Sequence, residues 1–104
     1  MALQPLFEAS EVPLGEGRAK SVAPDLTIAV FHLDDGFFAI DDTCSHAQAS
    51  LSEGEVVGHV VICPRHGGRF DLRTGKPAGL PATGKVASFP VQVDSGSILV
   101  DWEG

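Results

Sequence analysis

The only two cysteines of this chain lie in two short clusters, Cys44-Ser45-His46 and Cys63-Pro64-Arg65-His66-Gly67, which also hold two of its four histidines. Each cluster offers one thiolate and one imidazole, so together they make a complete four-ligand set for one metal centre. Such a centre constrains the fold strongly. Sixteen residues separate His46 from Cys63, enough for a hairpin, and the two clusters must then sit on loops that face one another. Thiolate is a soft donor that favours iron–sulfur clusters, zinc or cuprous copper, and imidazole suits iron, zinc and copper, so few metals remain.

Spacing ranks them. The first cluster is C-x-H and the second C-x-x-H. Structural zinc sites usually pair like with like, with roughly two to four residues between cysteines and three to five between histidines. Here each turn mixes the two types, which leaves zinc as the runner-up. A Rieske [2Fe–2S] centre needs two cysteines on one iron and two histidines on the other, and two facing C-x(n)-H loops supply that set with no ligand left over.

With 104 residues the chain is long enough for one core and reads as a single domain over 1–104, too short for a second catalytic domain. A mononuclear oxygenase iron would need two further histidines and a carboxylate, and only His32 and His59 remain unassigned. Both are expected to be ordinary strand or surface residues. Fourteen acidic against seven basic residues give a formal charge of −7, which argues against nucleic acid as a partner. The acidic pairs Asp34-Asp35 and Asp41-Asp42 suit docking on basic redox partners, or simply the solvation of hairpin turns. The amino terminus lacks the basic and apolar regions of a secretory signal, and no window is long and apolar enough to span a membrane, so a cytoplasmic location is expected. With both cysteines taken by metal, no structural disulfide is expected.

Short apolar runs punctuated by Gly, Asp and Pro dominate, and no 3.6-residue periodicity persists, so the fold class is all-β. Strands are expected at Leu6–Ala9, Leu26–Leu33, Phe37–Ile40, Val56–Gly58, Val60–Cys63, Phe70–Asp71, Val86–Val93 and Ile98–Trp102, with reversals at Asp35-Gly36 and Ser95-Gly96. Ser10-Glu11-Val12-Pro13 is read as a loop. Alternation places Phe89, Val91 and Val93 on one inner face of a small sandwich and Ile98, Val100 and Trp102 on the other. Pro90 suggests an edge or a bulge. Gly67 and Gly68 fit a tight turn, a close backbone approach in which their N–H groups point at cluster sulfurs, or both together.

The sequence resembles the Rieske-type ferredoxins through C-S-H at 44–46, C-P-R-H-G-G at 63–68 and F-D-L-R-T-G at 70–75, and the likeness covers most of the chain. The resemblance implies an antiparallel β-sandwich with a small cluster-binding subdomain of two loops, at approximately 42–82. It implies one [2Fe–2S] cluster held by Cys44, His46, Cys63 and His66, with the imidazole edges exposed and Leu80-Pro81-Ala82 covering the cluster as a third loop. It further implies the ferredoxin component of a bacterial aromatic-ring-hydroxylating dioxygenase system, which catalyses no conversion itself. An NAD(P)H-dependent flavin reductase would load it and a terminal Rieske non-haem iron oxygenase would unload it. A Rieske-like small subunit of another reductase, such as nitrite reductase, is the related alternative; a structural zinc module and a Cys–His thiol enzyme are the unrelated ones.

The chain departs from the high-potential members of the family. Where those carry two more cysteines, a serine and a tyrosine near the cluster, this sequence has Ala49, Arg65, Gly68 and Phe70, and it contains no Tyr at all. Fewer donors to the sulfurs stabilise an added electron less, so a potential near the bottom of the Rieske range, about −150 mV, is expected.

Overall fold

The computed structural model describes residues 3–43, 49–65, 67–79 and 84–102. Among the described residues eleven strands run in the order β1 (Gln4–Glu8), β2 (Gly17–Ala23), β3 (Leu26–Leu33), β4 (Gly36–Asp41), β5 (Glu55–Val57), β6 (Val60–Ile62), β7 (Arg69–Asp71), β8 (Pro77–Gly79), β9 (Ser88–Phe89), β10 (Val91–Asp94) and β11 (Ser97–Val100). They form three antiparallel sheets, β1-β11-β10, β2-β3-β4-β9 and β5-β6-β7-β8. Two 3-10 turns, Ala9–Glu11 and Leu51–Glu53, interrupt them. The first falls where a plain loop was expected, at the start of Ser10-Glu11-Val12-Pro13.

β3 explains how the layers stack. Successive side chains of a strand point to opposite faces, and along β3 both faces are buried. Ile28 and Val30 join Leu6, Val12, Ala39, Ile98 and Val100 in one core. Ala29, Phe31 and Leu33 join Ile40, Leu51, Val61, Cys63, Phe70, Leu72 and Val86 in the other. β4 repeats the division, with Ala39 in the first core and Ile40 in the second. The eight-residue run of β3 therefore reads as nearly continuous hydrophobicity, and its ends match the expected boundaries.

Tight hairpins set the registers. Leu33 pairs with Gly36, Val57 with Val60 and Asp94 with Ser97, so each turn has two central residues. At Ser95-Gly96 both φ values are positive, 50° and 84°, as the primed turn between twisted strands requires.

The last hairpin corrects the expected assignment of its residues to two inner faces. Val91 lies opposite Val100 and Val93 opposite Ile98 within one sheet, so these residues share a face and do not form two opposed ones. Val93, at the rim, is 46% exposed. The expected single strand Val86–Val93 is divided at Pro90: β9 pairs with β4, whereas β10 pairs with β11. Proline has no N–H to give to a ladder, and here it marks the point where the chain changes sheets. Its carbonyl still accepts the Asp101 N–H at 3.1 Å. Phe89 and Trp102 pack against the first core, as expected of packing residues.

Two strands are additional to those expected. β2 is polar and largely exposed on its outer side, and β8 consists of Pro-Ala-Gly. Neither carries an apolar alternation; each is held by its neighbour's ladder, β3 for β2 and β7 for β8.

Candidate metal centre

Of the expected ligands, Cys44, His46 and His66 lie outside the described residues, as does Leu80-Pro81-Ala82. Cys63 is described. β6 delivers it directly, 1% exposed, into the second core. The turn that follows is closed by backbone hydrogen bonds. The Cys63 N–H donates to the Gly68 carbonyl at 2.6 Å, and the Gly67 N–H donates to the Cys63 carbonyl at 3.0 Å. Gly67 has φ +72° with nothing within 4 Å of a Cβ placed on it, so conformation and not crowding calls for glycine. The tight turn expected at Gly67 is present, and the Gly67 N–H is engaged within it.

The neck of the first loop is equally well defined. Asp42 donates its N–H to the Thr27 carbonyl at 2.8 Å and accepts the Leu51 N–H at 2.7 Å. Thr43 and Ser50 then form an antiparallel bridge, which joins the chain on either side of the first candidate cluster. The Asp42 carboxylate, 6% exposed, accepts the Ser50 hydroxyl at 2.5 Å and the Ser52 N–H at 2.8 Å. The sequence reading missed this, because Asp41-Asp42 looked like a solvated acidic pair. The available signal was an acid two residues before a candidate ligand, answered by Ser50-Leu51-Ser52.

The third loop returns through Val86, whose N–H donates to the Gly75 carbonyl at 2.8 Å, and through Ala87, whose carbonyl accepts the Asp41 N–H at 2.9 Å. Gly75 closes the F-D-L-R-T-G segment. Phe70 and Leu72 are buried, while Asp71 accepts the Gly75 N–H through its carbonyl at 2.7 Å and the Arg73 N–H through its carboxylate at 2.8 Å. The Arg73 guanidinium also holds that carboxylate, at 3.1 and 2.9 Å, and this keeps the Asp71 carboxyl below the usual range. Leu51, Cys63 and Val86, each at the neck of one loop, thus lie in a single buried cluster, and Ala49 packs against it.

The remaining histidines have other work. His32 contacts the Val12 carbonyl through Nδ1 at 2.9 Å and stacks on Phe37, with ring centroids 4.2 Å apart. His59 Nε2 meets the Asp35 carboxylate at 2.8 Å, an interaction that holds the Asp35 carboxyl below its ordinary value. Among the described residues no group of three or more His, Cys, Asp or Glu side chains is placed to hold a metal. Arg65 and Arg69 are exposed, and among the described residues neither forms an ion pair. Phe70, at the position of the family's tyrosine, is fully buried in the cluster that contains Cys63 and brings no hydroxyl to it.

A donor set of two thiolates and two imidazoles, with a buried Cys63 among converging loop necks, fits a Rieske cluster. Residues 2–90 match the Rieske [2Fe–2S] domain family, and the chain belongs to it. Within that family it is a Rieske-type ferredoxin, an electron-transfer protein with one [2Fe–2S] cluster. The 3-phenylpropionate/cinnamic acid dioxygenase ferredoxin subunit of Photorhabdus laumondii is 46% identical over 91 residues, covering 86% of this chain and 85% of that protein. The ferredoxin in a complex of reduced oxygenase and oxidised ferredoxin of carbazole 1,9a-dioxygenase superposes with a TM-score of 0.88 at 39% identity, covering 94% of this chain and 91% of that one. A putative nitrite reductase small subunit from Mycobacterium tuberculosis, at 24% identity and a TM-score of 0.83, covers 95% of this chain and 93% of its own, and shares the fold alone. Among the described residues no helix is long and apolar enough to cross a membrane.

Proposed function

We propose that this ferredoxin is the cytoplasmic electron carrier of an aromatic-ring-hydroxylating dioxygenase system. It takes single electrons from an NAD(P)H-dependent flavin reductase and passes them to a terminal Rieske non-haem iron oxygenase. Cys44 and Cys63 hold one iron of the cluster, and His46 and His66 hold the other. The whole chain, 1–104, is one domain, with a cluster-binding subdomain at approximately 42–82. The observation that carries this reading is the meeting of three loop necks, through Leu51, Cys63 and Val86, in one core.

The cluster, when bound, supplies a reversible one-electron couple. The chain's own residues set its level and its access. Two imidazoles in place of two thiolates remove two negative charges from the ligand set, which makes an added electron easier to hold than in an all-cysteine ferredoxin. Phe70 and Gly68 offer no side-chain donor to the sulfurs, which limits that gain and supports a potential of about −150 mV. Such a level suits a flavin donor and an oxygenase acceptor. The His46 and His66 imidazoles form the route for electrons in and out.

The dioxygenase assignment is supported by the ferredoxin subunits that this chain resembles at 39 to 46% identity, against a likeness of fold alone to the nitrite reductase subunit. An EPR spectrum of dithionite-reduced protein tests the cluster. A signal with average g below the free-electron value is expected; an EPR-silent reduced form of iron-loaded protein, or a colourless protein carrying zinc, refutes it. A voltammetric midpoint above zero refutes the low potential.

A further inference from the structure

We propose that Asp42 is the positioning residue of the first ligand loop, its buried carboxylate acting as the clasp that fixes where Cys44 departs from the core. This rests on the reading of Cys44 and His46 as ligands. The two ligand loops are closed by different means. In the second, backbone hydrogen bonds join Cys63 to residues 67 and 68. In the first, a carboxylate joins the outgoing strand to the returning one, through the Ser50 hydroxyl and the Ser52 N–H.

Both oxygens of Asp42 accept hydrogen bonds, Oδ1 from the Ser52 N–H and Oδ2 from the Ser50 hydroxyl. Hydrogen bonds to a charged acceptor are stronger than neutral ones. The clasp also has a rigid base. Its backbone is tied to Thr27 on one side and to the fully buried Leu51 on the other, and Leu51 shares its core with Cys63. One residue, Thr43, separates this fixed point from Cys44, so a shift at Asp42 is passed to the first ligand with little slack. Removing the carboxylate deprives the part-buried Ser50 and Ser52 donors of their charged acceptor and frees the loop's return, while the second loop stays closed.

Cluster loss under a ferrous chelator, followed by visible absorbance, tests this in the holoprotein. Asp42→Ala is expected to lose the cluster about tenfold faster than wild type, the lower end of what outer-shell partners contribute to metal retention. Ile98→Ala, which opens a cavity in the core away from the loops, serves as the control for general destabilisation. Asp42→Asn keeps the shape and one acceptor; it is expected to restore most of the retention and to raise the midpoint potential, since a negative charge near the cluster is gone. Should Asp42→Ala not fold, Ser50→Ala removes one donor alone and is expected to speed the loss in the same direction. Loss from Asp42→Ala no faster than from Ile98→Ala, or an Asp42→Asn that loses the cluster as fast as Asp42→Ala, overturns the clasp. A wild-type protein that binds iron without the Rieske signal overturns the ligand reading instead, so the two failures are distinguishable.

Discussion

Gly75 is the position where one added methyl group should do the most damage for its size. A Cβ built there lies 2.0 Å from the Val86 carbonyl oxygen and 3.1 Å from its carbon, and the residue has φ +78°. Two costs follow. An L residue in the left-handed region costs roughly 1–2 kcal/mol. The contact adds more, because the obstacle is backbone and must retreat by about 1.4 Å before it reaches the 3.4 Å at which ordinary van der Waals contact begins. That retreat loosens the Val86 N–H bond to the Gly75 carbonyl, worth about 0.5–1.5 kcal/mol net. Gly75→Ala is therefore expected to lose about 2–4 kcal/mol. Gly58 provides the comparison, with φ +62° and nothing within 4 Å of its Cβ position, so Gly58→Ala incurs the conformational cost alone. Urea unfolding of the two holoproteins under one condition, followed by Trp102 fluorescence and by cluster absorbance, gives the difference. A metalloprotein that loses its cluster on unfolding does not obey a simple two-state scheme, so the contrast between variants carries the information. Gly75→Ala no less stable than Gly58→Ala would show that the return of the third loop is not pinned at Gly75.

The acid limb of stability should depend on Asp71 and Asp35. Both carboxyls are held below their ordinary value, by Arg73 and His59 respectively, so the stability they add is complete above about pH 4 and is lost as pH falls through their lower folded values. Asp71→Asn should flatten the fall in urea midpoint below that pH; a limb parallel to wild type would refute the role. His66→Cys, by adding a negative charge to the ligand set, should move the midpoint potential downward. An unchanged voltammogram from an intact cluster would count against the charge argument.

Legibility in the sequence followed from where each signal resides. The boundaries of β3 were readable because eight consecutive residues serve two cores, and the two-residue turn at Ser95-Gly96 because its backbone demands particular residues. β2 was not, since an outer strand of Gly-Arg-Ala-Lys-Ser gains its place from pairing with β3 and not from its own pattern. In the last hairpin, alternation told which residues share a face within β10 and within β11. Only the register showed that Val91 and Val100 point the same way. At the candidate centre, ligand type and spacing were written in Cys44, His46, Cys63 and His66. The burial of Asp42 was not, because it depends on Ser50 and Ser52 closing over it from eight and ten residues away.

The double burial of β3 has a consequence for how the molecule comes apart. Adjacent residues of this one strand, such as Phe31 and Val30, belong to different cores, so neither core can open far without pulling at the other. Amide hydrogens along β3 should exchange last and together, and loosening the sandwich far from the cluster should register as fluctuation near Cys63. The coupling ties the base of the candidate centre, at Cys63, to the rest of the fold and leaves it without an internal hinge of its own.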